Sequence, residues 1–226
     1  LGCWDAEARL RRLDEFGIET QLLYPNIVAF DSKAFMDLEP ELSILCIQVY
    51  NDFLVEWASA DPKRLIPLMM LPFWDLDASI KEMERAKAAG HRGVVLGSRF
   101  ERIGLPRLID PHWDPIFASA QDLDLPINFH VGFSSADDEH SASRVTFGEK
   151  PLEDIIHLAS TSFMANITTM LDVILYGICE KWPKLDFVSV ESGFGYMPYV
   201  VEVLDWQWKN AGAHKRHPGR LLPSEY

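Results

Sequence analysis

Two ionisable side chains stand within short apolar segments of the sequence, close to where each segment ends. His130 belongs to the segment of residues 125–132, and Glu191 belongs to the segment of residues 184–193. A neutral imidazole nitrogen is a common ligand of divalent metal ions, and a carboxylate can share that ion or act as the base for a metal-bound water. The pair therefore indicates metal-assisted acid–base chemistry. The structural alternatives are a hydrogen-bonded histidine at a strand end and a carboxylate in a buried ion pair with Arg or Lys.

Three further side chains are predicted to contact a substrate, because they also stand at the ends of apolar segments. Arg99 follows residues 93–98, and its guanidinium matches the geometry of a substrate carboxylate. Trp74 is predicted to form an apolar wall of the pocket, and Asn26 stands at the end of the first segment. The structural alternatives are a solvated loop arginine and an aromatic ring that packs a helix onto a strand.

The elements that must position these side chains alternate between apolar and amphipathic segments. The short apolar segments indicate buried strands, and the longer segments between them have helical periodicity. Asp75 and Asp110 are predicted N-caps, and Gly90 is predicted to end a helix. Strands are predicted at residues 18–25, 65–72, 93–98, 125–132 and 184–193, and helices at residues 40–60, 76–89, 111–124, 161–181 and 196–209. This alternation predicts right-handed βαβ units and a parallel sheet within one domain spanning residues 1–226.

Two architectures are built from successive βα units, and the glycine pattern distinguishes them. A doubly wound nucleotide-binding sheet should carry G-x-G-x-x-G or a P-loop, and residues 193–195 lack the third glycine. We therefore expect an incomplete (β/α)8 TIM barrel, whose remaining strands the full-length protein should supply. In such a barrel the reactive groups lie at the C-terminal ends of strands about 4.8 Å apart, so His130 and Glu191 should face one ligand. The long polar segment of residues 133–151 is predicted to be functional.

Composition limits the partners and the compartment. The 226 residues carry a formal net charge of −13, which argues against nucleic acid as a partner and leaves a small-molecule substrate. No apolar run reaches the roughly 18 residues of a membrane span. The three widely spaced cysteines, Cys3, Cys46 and Cys179, favour a reducing, cytoplasmic location over a disulfide framework or a zinc knuckle.

Several short motifs occur together at spacings that resemble a known family. They are Tyr50-Asn51-Asp52, Asp61-Pro62-x-Arg64-Leu65, Gly90-x-x-Gly93-Val94, Asp114-Pro115 and Pro126-x-x-x-His130. In this order they resemble the amidohydrolase-related family of metal-dependent TIM-barrel enzymes, which includes hydrolases, hydratases and decarboxylases. The resemblance covers nearly the whole chain and is far more specific than any single motif.

The resemblance implies a mononuclear divalent metal site, commonly zinc, with manganese as the other candidate. The five segments would be strands 2 to 6 of the barrel, and His130 matches the metal ligand on strand 5. The remaining ligands would be an H-x-H or E-x-H pair on strand 1, before Leu1, and an Asp on strand 8, beyond Tyr226. The chain as given is therefore expected to be inactive. The resemblance, with the Trp206 and Trp208 region predicted to be exposed, also suggests a homodimer.

Glu191 departs from the family pattern, because many members carry a His at the tip of strand 6 that handles the proton. A carboxylate beside a metal-bound water is a competent general base, although Glu191 could equally orient a His or Arg from an absent segment. We therefore expect a hydrolase that acts on a small carboxylated substrate, with His130 as metal ligand and Glu191 as proton acceptor. The alternatives are a metal-dependent decarboxylase that uses the same site and a catalytically inert barrel that binds or scaffolds.

Overall fold

A computed structural model describes residues 2–25, 33–130, 151–162 and 166–226 of the chain. One or more helices follow each strand, as the sequence predicts for an α/β protein. The strands are β1 (Gln21–Leu23), β2 (Leu65–Pro67), β3 (Val94–Leu96), β4 (Ile127–His130) and β5 (Phe187–Val190). The helices are α1 (Ala6–Phe16), α2 (Pro40–Ala58), α3 (Leu76–Ala89), α4 (Asp114–Asp122), α5 (Leu152–Ser162), α6 (Ile167–Leu175), α7 (Ile178–Lys181), α8 (Met197–Asn210) and α9 (Ala213–Arg216).

The strands follow one another in space in the order of the chain. β1 pairs with β2 in parallel, with Gln21 opposite Leu65, and a parallel bridge joins Met69 to Val94. The second sheet has the order β3-β4-β5. A doubly wound sheet reverses its strand order at a switch point, and these described strands show no such reversal. The prediction that the His130 and Glu191 segments are neighbouring strands is confirmed.

The chain divides into two compact units. The first comprises Leu1–Gly97, His112–Asn128 and Leu185–Val188, and the second comprises Ser98–Pro111, Phe129–Lys184 and Ser189–Tyr226. In the first unit, apolar side chains of α1 and α2 pack against the β1 and β2 strands. This cluster comprises Leu10, Leu13, Leu23, Leu54, Ala58 and Leu65. The single domain over the whole chain stays a prediction.

Helix boundaries show which sequence signals were correct. Asp75 caps α3 by accepting a hydrogen bond from the Ala78 N–H, and Gly90 ends that helix at a φ of 132°, as predicted. Asp110 is not an N-cap of α4, because Pro111–Trp113 forms a separate 3₁₀ turn and the helix begins at Asp114. Among the described residues, no helix is both long enough and apolar enough to cross a membrane.

The predicted helix at residues 161–181 is also wrong in its extent. α6 ends at Leu175 and α7 begins after Gly177, whose φ of 79° lies in the left-handed region that glycine adopts at low cost. Trp208 differs from its prediction as well, because it is buried: the Arg220 guanidinium lies 5.0 Å from its ring centroid, and the His217 ring stacks on it. Trp206 is exposed, and the homodimer stays a prediction.

A buried polar network fixes α2 to α3 and to the chain after β2. The Asn51 side chain donates to the Met70 carbonyl and to Glu82 Oε1, and it accepts from the Met70 N–H. Glu82 is 1% exposed and is also bound by Arg85. The hydrogen bond to Glu82 holds the pKa of Arg85 above its ordinary value, against the opposing effect of burial. The Tyr50-Asn51-Asp52 motif is thus part of the internal scaffold of the first unit.

His91 of this network is expected to make the stability of the protein depend on pH. Its Nε2 lies 3.0 Å from the Asn51 carbonyl, so Nε2 carries the proton, and Nδ1 is buried without a hydrogen-bond partner among the described residues. Burial lowers the pKa of His91, and the Asn51 carbonyl opposes that effect only in part. A His whose pKa is lower in the folded than in the unfolded state stabilises the fold at higher pH.

We therefore expect the free energy of unfolding to fall as the pH drops below about 6.5, the ordinary pKa of His, towards the lower folded-state value. Chemical denaturation at about pH 7.5 and about pH 5.5 measures this loss. The matched variant His91→Gln keeps a donor for the Asn51 carbonyl but does not titrate, so it should lose clearly less stability over the same interval. An equal loss in both proteins would contradict the assignment to His91.

Candidate active site

The site begins with two side chains at the ends of neighbouring strands in the second unit. His130 is the last residue of β4, and Glu191 directly follows β5. The distance from His130 Nε2 to Glu191 Oε2 is 3.5 Å, and the side chains are 4% and 62% exposed, respectively. The imidazole is therefore buried while the carboxylate reaches solvent. This exposure removes the alternative in which Glu191 forms a buried ion pair with Arg or Lys.

The backbone at Glu191 adopts a conformation that non-glycine residues seldom take. Its φ is 53°, in the left-handed region, and the φ of Gly193 is 63°. Such positions cost free energy and recur at functional sites, where the surrounding structure holds them. Next to this turn, the buried Ser192 hydroxyl lies 2.6 Å from the Ser189 hydroxyl. The strand end at Glu191 is therefore a tight, hydrogen-bonded turn.

Asn166 joins the two strand ends, although no sequence motif points to it. Its side chain is buried, and Nδ2 donates to the Phe129 carbonyl at 2.7 Å and to the Val190 carbonyl at 3.4 Å. These carbonyls belong to the residues that directly precede His130 and Glu191. The only available signal was an Asn inside a predicted helix, a residue type that favours helix starts over helix interiors.

Arg99 belongs to the same unit and is bound by a neighbour. Its Nε donates to Glu101 Oε1 at 2.8 Å, at the start of the 3₁₀ turn Phe100–Ile103. Burial raises the pKa of the Glu101 carboxyl, but the hydrogen bond from Arg99 and the nearby positive charges outweigh it and lower that pKa. Arg99 is thus part of an intramolecular ion pair, and its contact with a substrate carboxylate stays a prediction.

Trp74 and Asn26, the two other predicted substrate contacts, do not belong to the described part of the second unit. Trp74 lies in the first unit, where it packs edge-on against Phe73 with 5.1 Å between ring centroids and lines a cavity of about 560 Å³. Asn26 and residues 133–150 of the predicted functional segment 133–151 lie outside the described residues. The substrate-binding roles of Trp74 and Asn26 stay predictions.

The chemistry of the two donors suits a divalent metal ion, although their number does not complete a site. An imidazole nitrogen and a carboxylate oxygen are both ligands that zinc and manganese accept. Among the described residues, no group of three or more His, Cys, Asp or Glu side chains could hold a metal ion. The metal-ligand role of His130 and the acid–base role of Glu191 therefore stay predictions.

Comparison with known proteins places the chain in a family. It belongs to the amidohydrolase family, whose family model matches residues 1–222. It is 31% identical over 206 residues to a gamma-resorcylate decarboxylase from Polaromonas sp., which covers 88% of this chain and 59% of the relative. A 5-carboxyvanillate decarboxylase structure from Sphingomonas paucimobilis shares 22% identity with a TM-score of 0.67, covering 97% of this chain and 61% of that one. A manganese-bound 5-carboxyvanillate decarboxylase from Novosphingobium aromaticivorans shares 21% identity with a TM-score of 0.63, covering 93% and 56%.

The chain spans only part of the length of the curated relatives that it matches. The matched share is 34% for a 2-amino-3-carboxymuconate-6-semialdehyde decarboxylase from Dictyostelium discoideum and 59% for the Polaromonas protein. The family expected from the sequence motifs is confirmed, and the α/β fold agrees with the solved structures.

Proposed function

We propose that the complete protein is a metal-dependent, non-oxidative decarboxylase of a small hydroxylated aromatic carboxylic acid. The observation that carries the proposed site is the pair formed by His130 Nε2 and Glu191 Oε2, 3.5 Å apart at neighbouring strand ends. The curated relatives are decarboxylases, which favours loss of carbon dioxide over the hydrolysis expected from the sequence. The five strands would be strands 2 to 6 of a TIM barrel, whose reactive groups lie at the C-terminal ends of the strands.

In this proposal, His130 Nε2 would hold a divalent ion, zinc or manganese. The ion would supply positive charge that draws the substrate's oxygens and stabilises negative charge developing there. Because the imidazole is 4% exposed, few orientations are open to it, and Nε2 presents a fixed nitrogen towards the solvent-facing Glu191. A substrate held beside Nε2 therefore lies within reach of Oε2.

Glu191 would handle the proton. In decarboxylation the bond from the ring carbon to the carboxylate breaks, its electron pair remains on that carbon, and a proton takes the vacated position as carbon dioxide leaves. Glu191 Oε2 would deliver this proton and, because the side chain is 62% exposed, would recover one from solvent. The same carboxylate can serve as the base in hydrolysis, so the position of Glu191 alone leaves both reactions open.

Product analysis tests the proposed reaction. The complete gene product, purified and loaded with Mn²⁺ or Zn²⁺, is incubated with 2,6-dihydroxybenzoate and, separately, with a panel of esters, amides and lactones. Release of one carbon dioxide per aromatic product supports the decarboxylase. Cleavage of a panel compound without carbon dioxide supports the hydrolase instead, and inactivity with substoichiometric metal supports an inert barrel.

The variant Glu191→Gln tests the proton role. It keeps the size of the side chain but cannot carry the proton, so kcat should fall by about 10²–10⁴-fold while KM changes little. Metal content measured by atomic absorption should stay at the wild-type level. Glu202→Gln, an exposed position on α8 in the same unit, is the matched control and should keep full activity. Wild-type kcat in Glu191→Gln would remove Glu191 from the mechanism.

A further inference from the structure

Asn166 ties together the two strand ends that carry the candidate active site. Its Nδ2 lies between the Phe129 carbonyl of β4 and the Val190 carbonyl after which the chain turns at Glu191. Because both neighbours of the amide are carbonyl oxygens, only the NH₂ group can face them, which fixes the orientation of the amide. We propose that Asn166 is a positioning residue that sets the separation between His130 and Glu191, an inference that rests on the proposed function.

Asn166 restrains His130 and Glu191 through the two peptide units that precede them. The Phe129 carbonyl and the His130 N–H belong to one planar peptide unit, and the Val190 carbonyl and the Glu191 N–H belong to another. Holding both carbonyl oxygens on one nitrogen therefore fixes the two peptide planes that contain the Cα atoms of His130 and Glu191. At Glu191 this matters most, because its φ of 53° has to be held by surrounding contacts.

The Asn166 side chain does not make the hydrogen bond that its position at the start of α6 predicts. Asn166 occupies the N-cap position of α6, where an Asn normally accepts a hydrogen bond from the first turn, yet its side chain makes no capping bond. The helix starts nonetheless, with the Met170 N–H donating to the Asn166 carbonyl. The amide is thus directed away from its own helix and towards the strand ends.

The burial of the Asn166 amide lowers the stability of the fold. Asn166 is 1% exposed, and its Oδ1 is buried without a hydrogen-bond partner among the described residues. A buried polar atom without a partner destabilises the fold. An apolar side chain of similar size would avoid that cost, but it could not bridge two carbonyl oxygens.

The test uses two variants and a matched control in the complete protein. Asn166→Leu removes both N–H donors of the amide at similar side-chain volume. Asn166→Asp keeps the shape but faces the two carbonyls with acceptor oxygens. Either variant is sufficient for the test if the other does not fold. Thr169→Val is the control, because Thr169 is equally buried one turn further along α6 and its hydroxyl also lacks a partner among the described residues. All proteins are titrated with Co²⁺ and assayed with 2,6-dihydroxybenzoate.

The Asn166 variants should bind Co²⁺ about 10–100-fold more weakly, as expected when a group that orients a ligand is lost, with an altered visible spectrum. In the Asn166 variants, kcat should fall by about tenfold or more, while KM stays within about twofold of the wild-type value. In a Glu191→Gln background, where the positioned carboxylate is absent, the same Asn166 substitution should lower kcat by less than about twofold. Thr169→Val should match the wild type within about twofold in affinity and kcat. Equal effects of the Asn166 variants and Thr169→Val would overturn the inference.

A crystal structure of an Asn166 variant separates this inference from the proposed function. The distance between His130 Nε2 and Glu191 Oε2, 3.5 Å in the wild type, should exceed the ~4 Å limit of an ion pair. A distance unchanged from the wild type would overturn the positioning role, whatever the reaction. If the wild type binds no Co²⁺ and releases no carbon dioxide, the proposed function fails, and this distance still decides the role of Asn166.

Discussion

Replacing His130 with alanine is expected to abolish catalysis by the complete protein, with kcat lowered by about 10³-fold or more. The variant removes the nitrogen that the proposed function assigns to the metal. Its affinity for Mn²⁺ or Zn²⁺ should fall by at least the 10–100-fold that loss of an outer-shell partner causes. Isothermal titration with Mn²⁺ and a carbon dioxide assay measure the two effects.

The controls separate the loss of a ligand from the loss of the fold. His130 is buried, so alanine leaves a cavity and should cost about 1–3 kcal/mol of stability without unfolding the protein. His130→Gln fills that space without an imidazole and should show the same loss of metal. His214→Ala, on the exposed helix α9, should bind metal like the wild type. Wild-type affinity for Mn²⁺ in His130→Ala would remove His130 from the site.

Replacing Asn51 with alanine is expected to produce a large loss of stability, about 2–5 kcal/mol. The variant removes three hydrogen bonds of the buried network: two with the Met70 backbone and one with Glu82 Oε1. The Met70 N–H and carbonyl and the Glu82 carboxylate then remain buried with fewer partners. Urea denaturation followed by circular dichroism measures the change in the free energy of unfolding.

Two variants show whether this loss comes from the buried contacts. Asn51→Asp keeps the shape but places a second carboxylate against Glu82, so it should destabilise at least as strongly as alanine. Asp52→Asn changes the exposed partner of Arg85 in the same motif and should cost under about 1 kcal/mol. Similar losses from Asn51→Ala and Asp52→Asn would contradict the role assigned to the network.

The strand ends could be predicted from the sequence because apolar runs and their boundaries are local signals. The segments that carry His130 and Glu191 were correctly predicted to be neighbouring strands, and α3 was correctly predicted with its N-cap at Asp75. α1 was not predicted, although Asp5 caps it and Gly17 ends it, because its apolar residues are few among many charges. Local patterns identified elements whose apolar face is continuous. They overlooked α1, whose buried face is small, and also the short α9 and most of α5, which precedes the helix predicted at residues 161–181.

The rest of the site depends on contacts that no local pattern contains. Asn166 bonds to carbonyls that lie 37 and 24 residues away, so its role becomes visible only when both strands are in place. The left-handed backbone of Glu191 and its exposure were not predictable, since glutamate has no preference for that conformation. Trp208 was expected to be exposed because its covering partners, His217 and Arg220, come from a segment without a strong structural pattern.

Anomalous diffraction from crystals of the complete protein grown with Mn²⁺ tests the central claim most directly. The account predicts one manganese peak within coordination distance of His130 Nε2, with the Glu191 carboxylate beside the same opening. A manganese peak elsewhere, with His130 bound only by protein groups, would contradict it.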